Sequence, residues 1–137
     1  MDLKSVFLHG DLQEEIYMKH PGGYISYPTS VCRLRKSLYG LKQAPRAWYA
    51  KMDSFLLSQN FVRCKSNPNV YLQQHEDNLL IIVLYVDDLL TTESNHALIG
   101  TIKNTLHQAF DMSDLGPLKQ FLGLKITQVF YEIMISQ

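Results

Sequence analysis

The sequence predicts an α+β fold, a sheet with helices packed on one of its faces. Residues 79–86 form an apolar run of strand length. Residues 44–59 and 95–110 repeat apolar side chains at helical spacing, enough for two helices of about four turns each. The remaining short apolar pieces are separated by turn residues, so the element order is mixed and favours antiparallel hairpins.

Taken in order, residues 2–8 alternate polar and apolar side chains imperfectly. They read as a strand end running into a turn at His9-Gly10-Asp11, an element cut into rather than begun. Residues 12–18 fit a short helical turn or an extended piece equally well. His20-Pro21-Gly22-Gly23-Tyr24 is loop chemistry. Residues 31–38 are a cation-rich candidate strand stopped near Gly40. Pro45 suits the first turn of a helix over 44–59, where its missing N–H costs nothing, and Trp48, Met52, Phe55 and Leu56 mark the buried face. Residues 61–64 and 70–73 read as strands around a Ser66-Asn67-Pro68-Asn69 turn. His75 to Asn78 then lead into the strand 79–86, with 89–92 returning from it. Asn95 is a candidate cap for a second helix carrying Leu98, Ile102 and Leu106 on its apolar face up to about Phe110. Leu115-Gly116-Pro117 is a loop, and residues 121–129 and 131–135 form two closing strands, read as a hairpin.

At 137 residues the chain is one domain's worth, and 46% hydrophobic against 19% charged residues describes a soluble globular protein. No apolar run reaches bilayer length and no signal peptide opens the sequence, which points to an intracellular protein without a membrane partner. Cys32 and Cys64 lack metal-ligand spacing and read as reduced thiols. The five histidines show no such spacing either, and no P-loop, GxGxxG or nucleophile elbow is present. A net charge of zero argues weakly against a nucleic-acid binder. The distribution argues the other way, because Arg33, Arg35, Lys36, Lys42, Arg46 and Lys51 fall in one stretch without an acidic residue. A phosphate backbone responds to local charge within a Debye length.

The chemistry concentrates at Tyr85-Val86-Asp87-Asp88. Two adjacent carboxylates interrupt an apolar run, where burial and mutual repulsion both oppose their charge. In a regular strand they would face opposite ways. At a hairpin tip both can reach one space, and a third carboxylate from a neighbouring strand would complete a two-metal site for phosphoryl transfer. Asp2, in a strand-like segment, is the leading candidate; Asp11, Asp111 and Asp114 sit in exposed turn or helix-end settings. The competing reading of the pair alone is a solvated turn.

Four segments occur together in order: D-L-K-S-V-F-L-H-G-D-L from Asp2, S-L-Y-G-L-K-Q-A-P-R-A-W-Y from Ser37, Y-V-D-D from Tyr85, and L-G-P-L-K-Q-F-L-G-L-K-I from Leu115. Together they resemble the reverse transcriptase of Ty1/copia-type LTR retrotransposons, across essentially the whole chain. The resemblance implies a polymerase palm-like antiparallel sheet with helices on one face, fingers and thumb largely missing. On that reading residues 1–137 are a single partial palm domain, truncated at both ends, from a longer Pol polyprotein. It implies an RNA-directed DNA polymerase that uses two Mg²⁺, with Mn²⁺ as a substitute, to extend a DNA primer on an RNA template from deoxynucleoside triphosphates. Its location would be a cytoplasmic virus-like particle or the nucleus.

By the same resemblance Asp2, Asp87 and Asp88 are the catalytic and metal-holding residues. Phe7 matches an aromatic filter at the sugar 2′ position; the alternative is a core Phe on a strand. Gly40, Lys42, Gln43, Pro45 and Arg46 match the region contacting template and nucleotide, and Tyr85 lies near the primer terminus. Phe121, Leu122 and Gly123 match the primer grip, and Lys119 is either a general acid or a surface lysine. Val6 stands where the family usually has alanine, adding methyl groups beside the nucleotide pocket. The alternative function is a non-catalytic remnant with residual nucleic-acid binding or none.

Overall fold

The computed structural model describes residues 1–24, 30–93, 96–129 and 132–137. The chain is extended for only two residues, β1 (Asp2–Leu3), then passes through Ser5 at φ +52° into a short helix, α1 (Val6–His9). The strand expected over residues 2–8 is cut short for a reason visible in the burial. Leu3 and Val6 both enter the core, and residues three apart share a face on a helical turn but not on a strand.

β2 (Tyr17–Met18) and β3 (Cys32–Arg33) pair antiparallel as a separate ribbon, extended by a single bridge from Asp11 to Lys36. Residues 12–18 thus end extended, and the candidate strand 31–38 is regular only at its start. Its far end turns inwards, where buried Ser37 donates its hydroxyl to the Phe7 carbonyl and its amide to the Gly10 carbonyl at 2.9 Å. Cys32 and Cys64 are free thiols.

The next helix, α2 (Ala44–Ser58), carries Pro45 in its first turn and buries Ala44, Trp48, Met52 and Leu56, one side chain per turn along a single face. Asn60 at φ +64° reverses the chain into β4 (Val62–Arg63). A meander follows: β5 (Val70–His75), β6 (Asn78–Tyr85) and β7 (Asp88–Glu93). Then α3 (His96–Ala109) leads to β8 (Met112–Ser113), which returns beside β1. The result is a six-stranded, wholly antiparallel sheet in the order β4-β5-β6-β7-β1-β8. The expected cap Asn95 lies outside the described residues.

The strand expected over 121–129 breaks into β9 (Gln120–Phe121) and β10 (Leu124–Val129), because Leu122 and Gly123 both take positive φ and form a tight turn. β11 (Glu132–Ser136) pairs with β10 as the expected hairpin, giving a second sheet in the order β11-β10-β9. Tyr131, placed in that last strand by the sequence, lies outside the described residues.

One core joins the large sheet to α2 and α3. Leu80, Ile82 and Leu84 alternate inwards along β6, and Leu3, Leu89 and Met112 face the same way from neighbouring strands. Against them pack Trp48, Met52 and Leu56 from α2, Ile102 and Leu106 from α3, and Phe110 just beyond. Each such side chain contributes about 1.5–3 kcal/mol of burial. The fold is therefore α+β with the helical core on one sheet face, as expected. Val6 also joins this core, so its extra methyl groups are absorbed by packing. No helix among the described residues is long and apolar enough to cross a membrane.

Candidate active site

The strand alternation that sends Leu3 and Leu89 into the core turns Asp2 and Asp88 to the opposite, open face. The two are direct partners across the β1–β7 ladder, and Asp2 meets Ser113 of β8 on its other side. Cross-strand partners hold their Cβ atoms about 4.5–5.5 Å apart. Tyr85 is the partner of Asp88 across the β6–β7 hairpin, so Tyr85, Asp88, Asp2 and Ser113 form one row over four strands.

Val86 and Asp87 are the two-residue tip of that hairpin. Leu3 donates its amide to the Asp87 carbonyl at 2.9 Å, which ties the tip to β1. Val86 takes φ +52°, a left-handed conformation that a β-branched residue rarely adopts. Trp48 Nε1 donates to the Val86 carbonyl at 2.7 Å, linking α2 to the tip.

Burial, then the neighbouring charges of Asp87 and Asp2, raise the Asp88 carboxyl above its ordinary value. All three carboxylates thus act within one negative field. Among the described residues no group of three or more His, Cys, Asp or Glu side chains gathers closely enough to hold a metal ion. The arrangement is an adjacent pair with a third carboxylate one residue away. Its all-oxygen donor set suits a hard cation such as Mg²⁺, which keeps waters and phosphates among its ligands. Asp11, Asp53 and Asp114 are engaged elsewhere. Asp11 is ion-paired with Lys36 and Lys51 and Asp114 with Lys103, and hydrogen bonds from these lysines hold both carboxyls below the usual range.

Phe7 stands on α1 rather than on a strand, half-buried at the core's rim, with its ring 4.8 Å from and edge-on to exposed Tyr39. Gly40 adopts φ +91° in the exposed turn before α2. Gln43, Pro45 and Arg46 lie at or within the first turn of that helix and Lys42 just before it, one helical turn from Trp48. Of the basic stretch, Arg33 pairs with Glu15, while Arg35, Lys42 and Arg46 carry no ion pair among the described residues. Phe121 and Lys119 share a cleft of about 810 Å³ with Asp88, also lined by Leu90 and Thr92 of β7. Leu122 and Gly123 form the exposed tip of the β9–β10 turn.

Two residues of this neighbourhood were not singled out from sequence for it. Ser113 offers no signal, being one serine after a helix. Trp48 does, since a buried indole N–H requires an acceptor, but its partner is set by tertiary packing.

The open sheet face thus carries the Asp2–Asp88 pair beside the Asp87 hairpin tip. The chain belongs to the reverse transcriptase (RNA-dependent DNA polymerase) family, whose profile matches residues 1–137. Within that family it is the Ty1/copia retrotransposon Pol type. It is 50% identical over 131 residues to the retrovirus-related Pol polyprotein from transposon TNT 1-94 of Nicotiana tabacum, which covers 93% of this chain and 10% of that protein. It is 37% identical over 139 residues to the Pol polyprotein from transposon RE1 of Arabidopsis thaliana, covering 100% of this chain and 10% of that protein. A Saccharomyces cerevisiae relative, the transposon Ty1-NL2 Gag-Pol polyprotein, is 27% identical over 98% of this chain and 7% of its own length. The chain thus spans about a tenth of the plant Pol polyproteins it matches. No solved structure matches it.

Proposed function

We propose that this chain forms the palm of an RNA-directed DNA polymerase, a single domain within a longer Pol polyprotein. The observation that carries the reading is the Asp2–Asp88 cross-strand pair beside the Asp87 turn on the open sheet face. Two Mg²⁺ held there would supply charge stabilisation for the attacking and leaving oxygens of nucleotidyl transfer. Asp2 and Asp87 would hold the ions, and Asp88 would support the site.

The remaining residues orient the substrates. Tyr85, beside Asp88 in the row, faces the primer terminus, and Phe121, Leu122 and Gly123 hold the primer end across the shared cleft. Lys42 and Arg46, which carry no ion pair among the described residues, meet the template and incoming deoxynucleoside triphosphate at the start of α2 together with Gly40, Gln43 and Pro45. Phe7, with Tyr39 against it, excludes the ribose 2′-hydroxyl. Positioning of this kind is as necessary as the ligands, because in-line displacement needs both reacting oxygens aligned.

The test is primer extension on an RNA template in Mg²⁺ or Mn²⁺, with this chain grafted in place of the matching segment of the tobacco TNT 1-94 Pol polyprotein. Extension lost in Asp87→Ala supports the reading. Extension of equal rate in Asp87→Ala, or none from the intact graft beside an active parent, refutes it.

A further inference from the structure

We propose that Trp48 is a positioning residue for the carboxylate turn: its indole N–H, by holding the Val86 carbonyl, keeps the hairpin tip in the left-handed bend that presents Asp87. The inference rests on the reading of Asp2, Asp87 and Asp88 as metal-holding residues.

The turn needs an external hold. Val86 at φ +52° is strained, and such conformations persist only where the surroundings over-determine them. Packing of the Val86 side chain does not supply that hold, since it is 47% exposed. What grips the tip is its two carbonyls. Leu3 N–H takes that of Asp87 at 2.9 Å, and Trp48 Nε1–H takes that of Val86 at 2.7 Å. The first is part of the sheet. The second comes from a helix on the other side of the core and is specific to this turn.

Trp48 is itself fixed. It is 2% exposed, its ring stands edge-on to Phe110 at 5.5 Å, and its backbone amide lies where a Cβ on Gly10 would come within 2.9 Å. A rigid donor therefore meets a strained acceptor. Because the hydrogen bond is made to the backbone carbonyl, it acts on the turn directly, against the strain that the Val86 side chain imposes there. It also couples the basic entry to α2, one helical turn away, to the placement of Asp87.

A tryptophan that serves only as core filling would also lose stability when replaced, so the test reads the turn. In Trp48→Phe, the Val86 ¹³Cα and ¹³Cβ shifts of the full chain should leave left-handed values. Mn²⁺ binding, followed by water-proton relaxation, should weaken about three- to tenfold, as for loss of one hydrogen bond. Val86→Gly removes the strain, so in that background Trp48→Phe should change Mn²⁺ affinity by less than about twofold. Benzothienylalanine at residue 48, which keeps the ring's shape but has sulfur in place of N–H, carries the same test should Phe leave a disruptive cavity. Unchanged Val86 shifts, or an equal loss of affinity in both backgrounds, overturn this proposal alone. Mn²⁺ binding that survives Asp87→Ala overturns the metal-site reading and this proposal with it.

Discussion

Asp2 and Asp88 stand directly opposite each other across the β1–β7 ladder, with no cation among the described side chains ion-paired to either. Like charges in that position destabilise a sheet, by about 0.2–1 kcal/mol. Burial adds to the repulsion on Asp88. The chain therefore keeps, at a central strand pair, an arrangement that costs it stability as a bare protein. The Met1 ammonium offsets part of that cost; on the proposed reading a divalent cation supplies the rest of the counter-charge.

The first prediction is that Asp88→Asn stabilises the metal-free chain at pH 7, by about 0.5 kcal/mol. Its pH dependence follows from the sign of the shift. A carboxyl raised on folding binds its proton more tightly in the folded state, so stability is greatest below the unfolded value of about 4 and falls as pH rises through the folded one. Asp11 and Asp114, held down by lysines, behave oppositely: their contribution is present above about 4 and is lost below it. Urea midpoints from pH 3 to 7 should rise and then fall. In Asp88→Asn the fall above pH 4 should shrink while the acid limb stays. A fall of full size in the variant refutes the assignment.

Divalent cations should reverse the penalty. A ligand that binds only the folded chain adds about 1.4 kcal/mol at ten times its Kd. Mg²⁺ should therefore raise the Tm of the chain, and Asp87→Ala should abolish most of the rise. An equal rise in both proteins would place the ion elsewhere.

A separate network fastens the far edge of the sheet to α2. Tyr71 on β5 is fully buried and donates its hydroxyl to Asp53 Oδ1 at 2.8 Å, and Arg63 on β4 pairs with both oxygens of the same carboxylate. Burial, then hydrogen bonds to Tyr49 and Asp53, push the Tyr71 phenol far above its ordinary value, so it stays neutral and donating. Tyr71→Phe keeps the ring and deletes one charge-assisted hydrogen bond, which should cost about 1–2 kcal/mol in urea unfolding. A loss below about 0.3 kcal/mol would show that Arg63 alone satisfies Asp53.

Gly10, which caps the end of α1, lies tightly against the backbone of α2. A Cβ there would stand 2.7 Å from Ser37 Oγ, 2.9 Å from Trp48 N and 3.0 Å from the Ala47 carbonyl carbon. Two of these are helix backbone, which cannot rotate aside. Gly10→Ala should destabilise by about 1–3 kcal/mol. It should also shift the resonances of Trp48 and Phe7, whose positions depend on that contact. A neutral substitution would mean the two helices separate freely.

The elements legible in the sequence were those with a long single periodicity. The α2 stripe of Trp48, Met52 and Leu56 and the alternation along β6 survive because each repeats often enough to outweigh local exceptions. Short elements did not announce themselves. α1 replaces a strand because Leu3 and Val6 need one core, and β9 ends early because Leu122 and Gly123 take positive φ. At the site, Asp87 and Asp88 stood out chemically as carboxylates in an apolar run. Their partner register with Asp2 did not, because it depends on β1 inserting between β7 and β8, a long-range pairing no local pattern encodes. The Trp48 hydrogen bond was hidden for the same reason.

The closing hairpin supplies the last prediction. Ile133 and Ile135 alternate on one side of β11 and are 68% and 63% exposed, on a strand whose outer edge pairs with nothing among the described residues. Apolar side chains on an open edge invite pairing with another chain. Replacing both with Lys removes little buried surface, so unfolding stability should change by less than about 0.5 kcal/mol. The charges should meanwhile suppress edge-to-edge association. Light scattering at rising protein concentration should show growth in the parent chain and a monomer in Ile133→Lys/Ile135→Lys. Equal growth in both would put the sticky surface elsewhere. Loss of folding in the variant would show that these isoleucines stabilise the chain despite their exposure.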